Sequence, residues 1–177
     1  KCVLENGLHW INENGYLGLI HPEGIYDDPN GYELRKEIYK RLKYHFHFRN
    51  GLLLFAEVHD QKTYSINIYS GKEGAIYFEN IYNIFHPSMI DGCFLSSSNL
   101  SEVKGVKYKN ERGEFVWNIL SHNSRLVKIS ESELKVLSKT FENTTDWQGT
   151  KLVSIHAKEI LDVIKKIGEF KTSVKDF

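Results

Sequence analysis

A strand–helix–strand run between Tyr16 and Arg49 constrains the fold more than any other part of the sequence. Tyr16–Ile20 is short, almost wholly apolar and soon followed by a proline, which is typical of a buried parallel strand. Residues 32–43 carry their aliphatic side chains on one helical face, and Tyr44–Arg49 then alternates in the manner of a second strand. This order predicts a right-handed βαβ unit with two parallel strands.

The segments that flank this unit complete the predicted fold. An apolar helical pattern over Val3–Ile11 begins without a capping residue, so we expect the chain to be part of something longer. Thr63–Tyr69 alternates and is expected to lie antiparallel between the two parallel strands. The turn residues of Ser70–Gly74 predict a hairpin that continues into a strand at Ala75–Phe78.

The rest of the chain has a weaker pattern. Strands are predicted at Val116–Leu120 and Leu152–Ile155, and Ser96–Asn99 is predicted to be loop. A capping box that begins at Ser130 predicts a helix that extends to Phe141. A last helix over residues 158–167 is expected to bury four aliphatic side chains, Ile160, Leu161, Ile164 and Ile167.

Composition limits the classes of function. The chain has 177 residues with 23 basic and 23 acidic side chains, so its formal net charge is zero. A protein that binds nucleic acid on its own is usually basic, so this balance argues mildly against independent DNA binding. No run approaches the ~18 apolar residues of a membrane span, and the two cysteines, Cys2 and Cys93, are too few for a disulfide framework. We therefore expect a cytoplasmic protein without a membrane partner.

Two patterns raise the question of a metal site. His45 and His47 share one face of a strand, but zinc needs three or four ligands and no HxxxH or CxxC spacing occurs. The simpler interpretation is two strand histidines beside an aromatic face. Asp91 followed by Glu102 and Lys104 fits the loose spacing of metal-dependent nucleases, a hypothesis that needs these three residues to converge in space. We predict no metal site from either pattern.

The order of short motifs between Gly15 and Ile68 is a more specific indication. The motifs are Gly15–Pro22 (GYLGLIHP), Leu34–Arg35, Tyr44–Phe48 and Phe55–Ile68 (FAEVHDQKTYSINI). In this order they resemble the second half of the catalytic domain of DNA adenine-N6 methyltransferases of the gamma arrangement, as in type IIG-like restriction–modification proteins. The resemblance implies an α/β fold: the second half of a Rossmann-like S-adenosylmethionine-dependent sheet, with a parallel βαβ unit plus an antiparallel last strand, followed by an α+β extension.

The resemblance also implies roles for four residues. An adenine must be flipped out of the duplex before its amino group can react, and the ends of parallel strands line the ligand crevice. His21 and Pro22 lie at such a strand end and become candidates for the base pocket. His59 follows Val58, at the position where the family often has an aromatic side chain stacked on the base, and Lys62 is a candidate for a DNA-phosphate contact. The alternatives are an exposed loop histidine for His59 and, as the simpler interpretation, a solvated lysine for Lys62.

Two motifs of the family are missing from this sequence. It contains no Asn/Asp-Pro-Pro-aromatic motif and no glycine-rich cofactor motif. We therefore expect the chain alone to be inactive, with no catalytic, cofactor-binding or metal-binding residues. The intact parent would use S-adenosylmethionine and double-stranded DNA and would supply the missing N-terminal half of the domain.

The resemblance predicts three segments. These are residues 1–70 from the methyltransferase domain, 71–142 as a connecting α+β region, and 143–177 as the start of a further region, with target recognition as one interpretation. The rival hypothesis is a non-catalytic DNA-binding or specificity module that is sufficient in itself. A basic groove on the extension favours this rival, whereas an exposed apolar sheet edge on residues 1–70 favours a truncated methyltransferase.

Overall fold

The computed structural model describes residues 2–95 and 102–170. Within these residues the chain is a mixed α/β protein with a five-stranded mixed sheet and a separate two-stranded sheet. The helices are α1 (Cys2–Trp10), α2 (Gly24–Asp27), α3 (Tyr32–Tyr39), α4 (Ser88–Leu95), α5 (Glu131–Leu137) and α6 (Lys158–Gly168). The strands are β1 (Tyr16–Pro22), β2 (Leu42–Arg49), β3 (Thr63–Ser70), β4 (Tyr77–Ile84), β5 (Lys107–Lys109), β6 (Phe115–Trp117) and β7 (Val127–Ser130).

The first three strands have the predicted arrangement. β3 lies between β1 and β2 and pairs antiparallel with both, so β1 and β2 run parallel. Pro22 of β1 and Phe48 of β2 both face Tyr64 of β3. The last residues of β1 and β2 and the first residues of β3 therefore meet at one end of the sheet, which we call the upper end. The prediction that Thr63–Tyr69 separates two parallel strands is confirmed.

The predicted hairpin between Thr63–Tyr69 and Ala75–Phe78 is wrong. Both edges of β3 are occupied by β1 and β2, so the next strand cannot pair with β3. β4 crosses instead to the free edge of β2 and runs parallel to it, with Phe46 opposite Ile81. β7, which the sequence pattern does not predict, pairs antiparallel with β4 and completes the order β1-β3-β2-β4-β7.

Two boundaries near the βαβ unit differ from the predictions. α3 ends at Tyr39, before the predicted end at Lys43, because Leu42 already pairs as part of β2. The segment His21–Gly31, predicted to be loop, contains the end of β1, the single-turn helix α2 and a 3-10 turn at Pro29–Gly31. These short helical turns bring polar side chains close to the upper end of the sheet.

Of the two later strand predictions, one is partly confirmed and the other is wrong. Val116–Leu120 is only partly confirmed, because β6 is shorter and belongs to the two-stranded sheet formed with β5. Leu152–Ile155 forms no strand within the described residues, although Leu152 donates one backbone hydrogen bond to Tyr26 at 3.1 Å. The predicted loop at Ser96–Asn99 lies outside the described residues.

The capping box before α5 is confirmed. Ser130 caps the helix through its hydroxyl, and the Glu133 carboxylate accepts from the Ser130 backbone N–H at 3.0 Å. The helix continues beyond Leu137 as a π-helical turn over Ser138–Glu142. This turn changes the periodicity, so Phe141, predicted on the buried face, is exposed.

The last predicted helix is confirmed as α6, but its buried face is narrower than predicted. Leu161 and Ile164 are buried, whereas Ile160 and Ile167 are exposed. Residues 161 and 164 form a single stripe toward the core, and the helical repeat turns positions 160 and 167 away from it.

The sheet separates two apolar clusters. One contains residues of α1, α3, β3, α5 and α6, among them Leu4, Tyr39, Tyr69, Leu134 and Ile164. The other packs α4 and the two-stranded sheet against the opposite face, through residues that include Phe48, Ile81, Phe85, Met89 and Cys93. Side chains from all three predicted segments share the first cluster. None of the helices in the described part of the chain has the length and apolarity needed to span a bilayer.

Candidate functional site

A loop at the upper end of the sheet, residues 50–62, connects β2 to β3. The side chain of Asn50 is buried and organises this loop: its amide nitrogen donates to the carbonyls of Phe55 at 2.9 Å and Val58 at 2.6 Å. The side-chain oxygen of Asn50 accepts from the backbone N–H of Phe55 at 3.0 Å. The backbone N–H of Asn50 donates to the Lys62 carbonyl at 3.0 Å. One buried amide therefore fixes both ends and the middle of an otherwise exposed loop.

His59 and Lys62 both lie on the outside of this loop. The His59 side chain is 65 % exposed, and its Nδ1 lies 2.9 Å from Asp60 Oδ1. Lys62 is also exposed. Glu57, Asp60 and Gln61 are exposed on the same loop. Five hydrophobic side chains of the loop are exposed as well: Leu52, Leu53, Leu54, Phe55 and Val58. Exposed apolar side chains at this density are typical of a contact surface.

Pro22 belongs to the same end of the sheet as the loop. It is exposed, it faces Tyr64 across the β1–β3 pair, and the Tyr64 ring contacts Phe55 with a centroid separation of 4.9 Å. His21 is directed to the other face of β1, because consecutive strand residues alternate. Its Nε2 lies 3.1 Å from the Tyr69 hydroxyl, and burial lowers the pKa of its ring. The fold thus brings Pro22, His59 and Lys62 to one end, while His21 joins an internal network.

That network lies on the face of the sheet that carries His21. The Tyr26 hydroxyl donates to Asn67 Oδ1 at 2.6 Å and lies 3.0 Å from the Tyr69 hydroxyl. Asn67 in turn donates to the Ser65 hydroxyl at 2.8 Å. Burial holds the pKa of Tyr26 well above its ordinary value, so this tyrosine stays a neutral hydrogen-bonding group.

Glu23 and His45 also belong to this network. Glu23 Oε1 lies 3.0 Å from His45 Nε2, and His45 Nδ1 lies 2.9 Å from Asn80 Oδ1. Burial opposes ionisation of Glu23, but the charge and hydrogen bond of His45, with His47 and Ser65, outweigh it and lower the pKa of Glu23 to about 2. A carboxylate therefore remains ionised beneath the upper end of the sheet.

His47 is the neighbour of this pair on the same strand face. Its Nδ1 accepts from the backbone N–H of Asn83 at 3.2 Å, and Asn83 has a left-handed backbone with φ of 58°. Burial lowers the pKa of His47 to about 4, so the ring is neutral near pH 7. Both histidines contact the Tyr82 ring, with centroid separations of 5.4 Å for His45 and 4.9 Å for His47. The interpretation of two strand histidines beside an aromatic face is confirmed.

The sequence interpretation missed Glu23, Asn67 and Asn80. A usable pattern exists: polar residues alternate on two neighbouring strands, at His45 and His47 and at Ser65 and Asn67. If the strands pair, such residues share a buried face and need partners. The position of Glu23, in a turn beyond β1, cannot be inferred from that pattern alone.

The nuclease hypothesis gains no support from the described residues. No hydrogen bond or ion pair joins the side chains of Asp91, Glu102 and Lys104 there, and no group of three or more His, Cys, Asp or Glu side chains in residues 2–95 and 102–170 is arranged to hold a metal ion.

The outer edge of β1 is open in the described part of the chain. β1 is the first strand in the sheet order and pairs only with β3. Tyr16 and Ile20 of this strand are 70 % and 59 % exposed. Edge strands are usually protected by charges, bulges or a covering element, and an exposed apolar edge is prone to pair with another strand.

Comparison with known proteins does not extend these observations. No protein-family model, curated protein or solved structure matches this chain. The functional assignment therefore rests on the geometry of the sheet, the loop and the open edge.

Proposed function

We propose that this chain is the second part of the catalytic domain of an S-adenosylmethionine-dependent DNA adenine-N6 methyltransferase from a restriction–modification or phage-defence system. The observation that carries the proposal is the strand arrangement: β3 is inserted antiparallel between the parallel strands β1 and β2. This is the end of the sheet that the resemblance implies, and the long loop 50–62 follows β2 at the position of the family's last motif.

The open edge of β1 supports the same proposal. A strand that is unpaired on one side, with exposed Tyr16 and Ile20, fits a sheet that continues in the missing half of the domain. We expect the next strand to be parallel to β1. The Asn/Asp-Pro-Pro-aromatic and cofactor motifs would come from that half, because this sequence lacks both.

The residues at the upper end have distinct roles in this proposal. Pro22 and the exposed apolar loop form one wall of the pocket for the extruded adenine. His59 offers a ring for stacking on the base. Lys62 lies three residues after His59 on the same loop, and its exposed side chain can contact a phosphate next to the extruded base. His21 lies behind this wall and helps to hold β1 in place through its contact with Tyr69. S-Adenosylmethionine, when bound by the other half, supplies the methyl group.

The test uses the full-length protein that contains this chain. Incubation with duplex DNA and S-adenosylmethionine, followed by digestion and mass spectrometry of the nucleosides, is expected to yield N6-methyladenosine in its deoxy form. Transfer to cytosine, or no transfer to any of a set of plasmids that together contain all short sequence motifs, would contradict the proposal.

The second candidate is a non-catalytic DNA-binding or specificity module. The observation that favours it is the hairpin of β5 and β6 on the extension, where Lys107 and Lys109 lie over the aromatic rings of Trp117 and Phe115. A full-length protein that binds a specific duplex but transfers no methyl group would select this candidate.

A further inference from the structure

The small sheet of β5 and β6 is a hairpin with a tightly ordered turn. Asn110 Oδ1 accepts from the backbone N–H of Arg112 at 3.0 Å and of Glu114 at 2.9 Å. Gly113 has φ of 78°, a left-handed conformation that favours glycine. Asn110 Nδ2 donates to the Glu114 carboxylate at 3.0 Å, which keeps that negative group on the turn. The hairpin is therefore a preformed element.

One face of this hairpin combines lysines with aromatic rings. The pairs Lys107–Trp117 and Lys109–Phe115 are directly opposite in the two strands, so the four side chains share a face. Lys107 Nζ lies 3.9 Å from the Trp117 ring centroid, and Lys109 Nζ lies 5.4 Å from that of Phe115. Phe115 is 69 % exposed. This face offers cations held in place by rings, together with an apolar surface.

The cations of this region lack carboxylate partners within the described residues. No Asp or Glu oxygen there lies within ion-pair distance of Lys104, Lys107, Lys109 or Arg112. Ion pairs do occur elsewhere in the described residues, where Lys135 Nζ lies 2.6 Å from Glu131 and Lys165 Nζ lies 2.8 Å from Glu133. Residues 104–117 carry these four cations and two carboxylates, Glu111 and Glu114, so this region has a positive excess of two although the net charge of the whole chain is zero.

The hairpin is packed against the loop that carries His59. Trp117 stacks on Phe85 with a centroid separation of 4.6 Å, and both rings cover Gly51. A Cβ at Gly51 would lie 3.1 Å from Trp117 Cε2, so the loop and the hairpin are in direct contact. Any DNA that reaches the loop would therefore lie beside the hairpin.

We propose that the β5–β6 hairpin binds the backbone of duplex DNA, with Lys107, Lys109 and Arg112 at phosphates and Phe115 against a sugar. Lysine and arginine side chains without carboxylate partners can bind the negatively charged phosphates of DNA. A two-stranded ribbon also fits against a groove of the duplex. The choice of DNA as the nucleic acid rests on the proposed function. The binding surface itself rests on the charges and geometry of the hairpin.

The test measures binding by the 177-residue chain to fluorescein-labelled duplex DNA over a range of salt concentrations, without cofactor. The triple variant Lys107→Ala, Lys109→Ala and Arg112→Ala is expected to weaken binding more than tenfold at low salt. The slope of log K against log salt is expected to fall by ~0.9 for each phosphate that is no longer neutralised, or ~2.7 for three. A matched control removes three exposed lysines elsewhere, Lys72, Lys128 and Lys158, and is expected to leave the slope unchanged.

Thermal melts of both variants show whether each remains folded, and Lys107→Arg with Lys109→Arg is expected to keep the wild-type slope. The inference is overturned if the hairpin variant binds like the wild type, if the control loses as much affinity, or if the chain binds no duplex at ~50 mM salt. Tighter binding of single-stranded DNA or duplex RNA would overturn the choice of partner. Failure of methylation by the full-length protein, with the hairpin effect intact, contradicts only the proposed function.

Discussion

Glu23 and His45 form a buried hydrogen-bonded pair that links the turn after β1 to the middle of β2 across the intervening strand β3. Glu23 Oε1 lies 3.0 Å from His45 Nε2, with the two side chains 12 % and 0 % exposed. The pair determines how the turn that follows Pro22 is held against the sheet. Since Pro22 and the loop 50–62 share the upper end, this buried pair also supports the candidate base pocket.

We predict that Glu23→Gln destabilises the protein. The substitution removes the ionised carboxylate that is hydrogen-bonded to the buried His45 ring, and loss of such a buried hydrogen bond typically costs about 1–3 kcal/mol. Urea denaturation followed by circular dichroism measures this change in the free energy of unfolding. Glu13→Gln, at an exposed position, is the matched control and is expected to have little effect.

The double variant tests whether the two residues act together. Glu23→Gln with His45→Gln is expected to lose clearly less stability than the sum of the two single changes, because the second substitution removes a group that has already lost its hydrogen-bond partner. Additive losses would show that Glu23 and His45 stabilise the fold independently, contrary to the hydrogen-bonded pairing.

A second prediction concerns the pH dependence of stability. Burial lowers the pKa of His47 from 6.5 to about 4, so between these values the unfolded chain holds a proton that the folded chain does not. Stability therefore falls as pH decreases through this window. His47→Gln is expected to make the decrease shallower between pH 6.5 and 4, as measured by urea midpoints at several pH values.

Two comparisons keep this result interpretable. His9→Gln changes an exposed histidine and is expected to leave the profile unaltered. Glu23 affects stability at lower pH than His47 does. The pKa of Glu23 is about 2 in the folded protein and 4.5 ordinarily, so the stabilisation by its carboxylate is present above pH 4.5 and is lost as pH falls toward 2. An unchanged slope above pH 4 in His47→Gln would refute the assignment.

The sequence predicts the β1–β3–β2 arrangement because periodicity and motif order agree there. Tyr16–Ile20 and Tyr44–Arg49 have strand patterns around a helix, and Thr63–Tyr69 alternates after a long loop. The same local patterns cannot place β4, because its partner is decided by which edge is already occupied. Ala75–Phe78 follows a turn as a hairpin strand would, yet the partner is β2.

The residues of the candidate site likewise fall into those that the sequence predicts and those that it does not. His59, Lys62 and Pro22 come from an ordered set of motifs along the chain, so their shared end of the sheet follows from the topology. Glu23 and Asn80 become partners of His45 only through tertiary packing, with separations of 22 and 35 residues in sequence. Net charge, averaged over the chain, likewise gives no indication of the unpaired cations on the β5–β6 hairpin.

A third prediction concerns the cofactor. We expect this chain alone to show no measurable binding of S-adenosylmethionine in titration calorimetry, because its sequence has no glycine-rich cofactor motif. The full-length protein, tested in parallel, is expected to bind the cofactor. A micromolar dissociation constant for the isolated chain would contradict the assignment to the second half of the domain.

The last prediction concerns His59 in the full-length protein, where we propose that its ring stacks on the extruded adenine. The ring is exposed and Asn50 holds the loop from within, so His59→Ala is expected to leave the loop folded. Stacking on one base is worth ~1–3 kcal/mol. At ~1.4 kcal/mol per decade, His59→Ala is expected to slow methylation of duplex DNA by roughly tenfold to a hundredfold.

Three further measurements separate stacking from a general effect on the loop. His59→Phe is expected to retain activity because a larger ring can occupy the same place, and Gln61→Ala, at an exposed neighbour, is expected to behave like the wild type. A mismatch opposite the target adenine lowers the cost of extrusion, so it is expected to rescue His59→Ala in part. If His59→Ala methylates matched duplex DNA at the wild-type rate, His59 is an ordinary exposed loop histidine and the pocket wall is formed by Pro22 and the apolar loop residues alone.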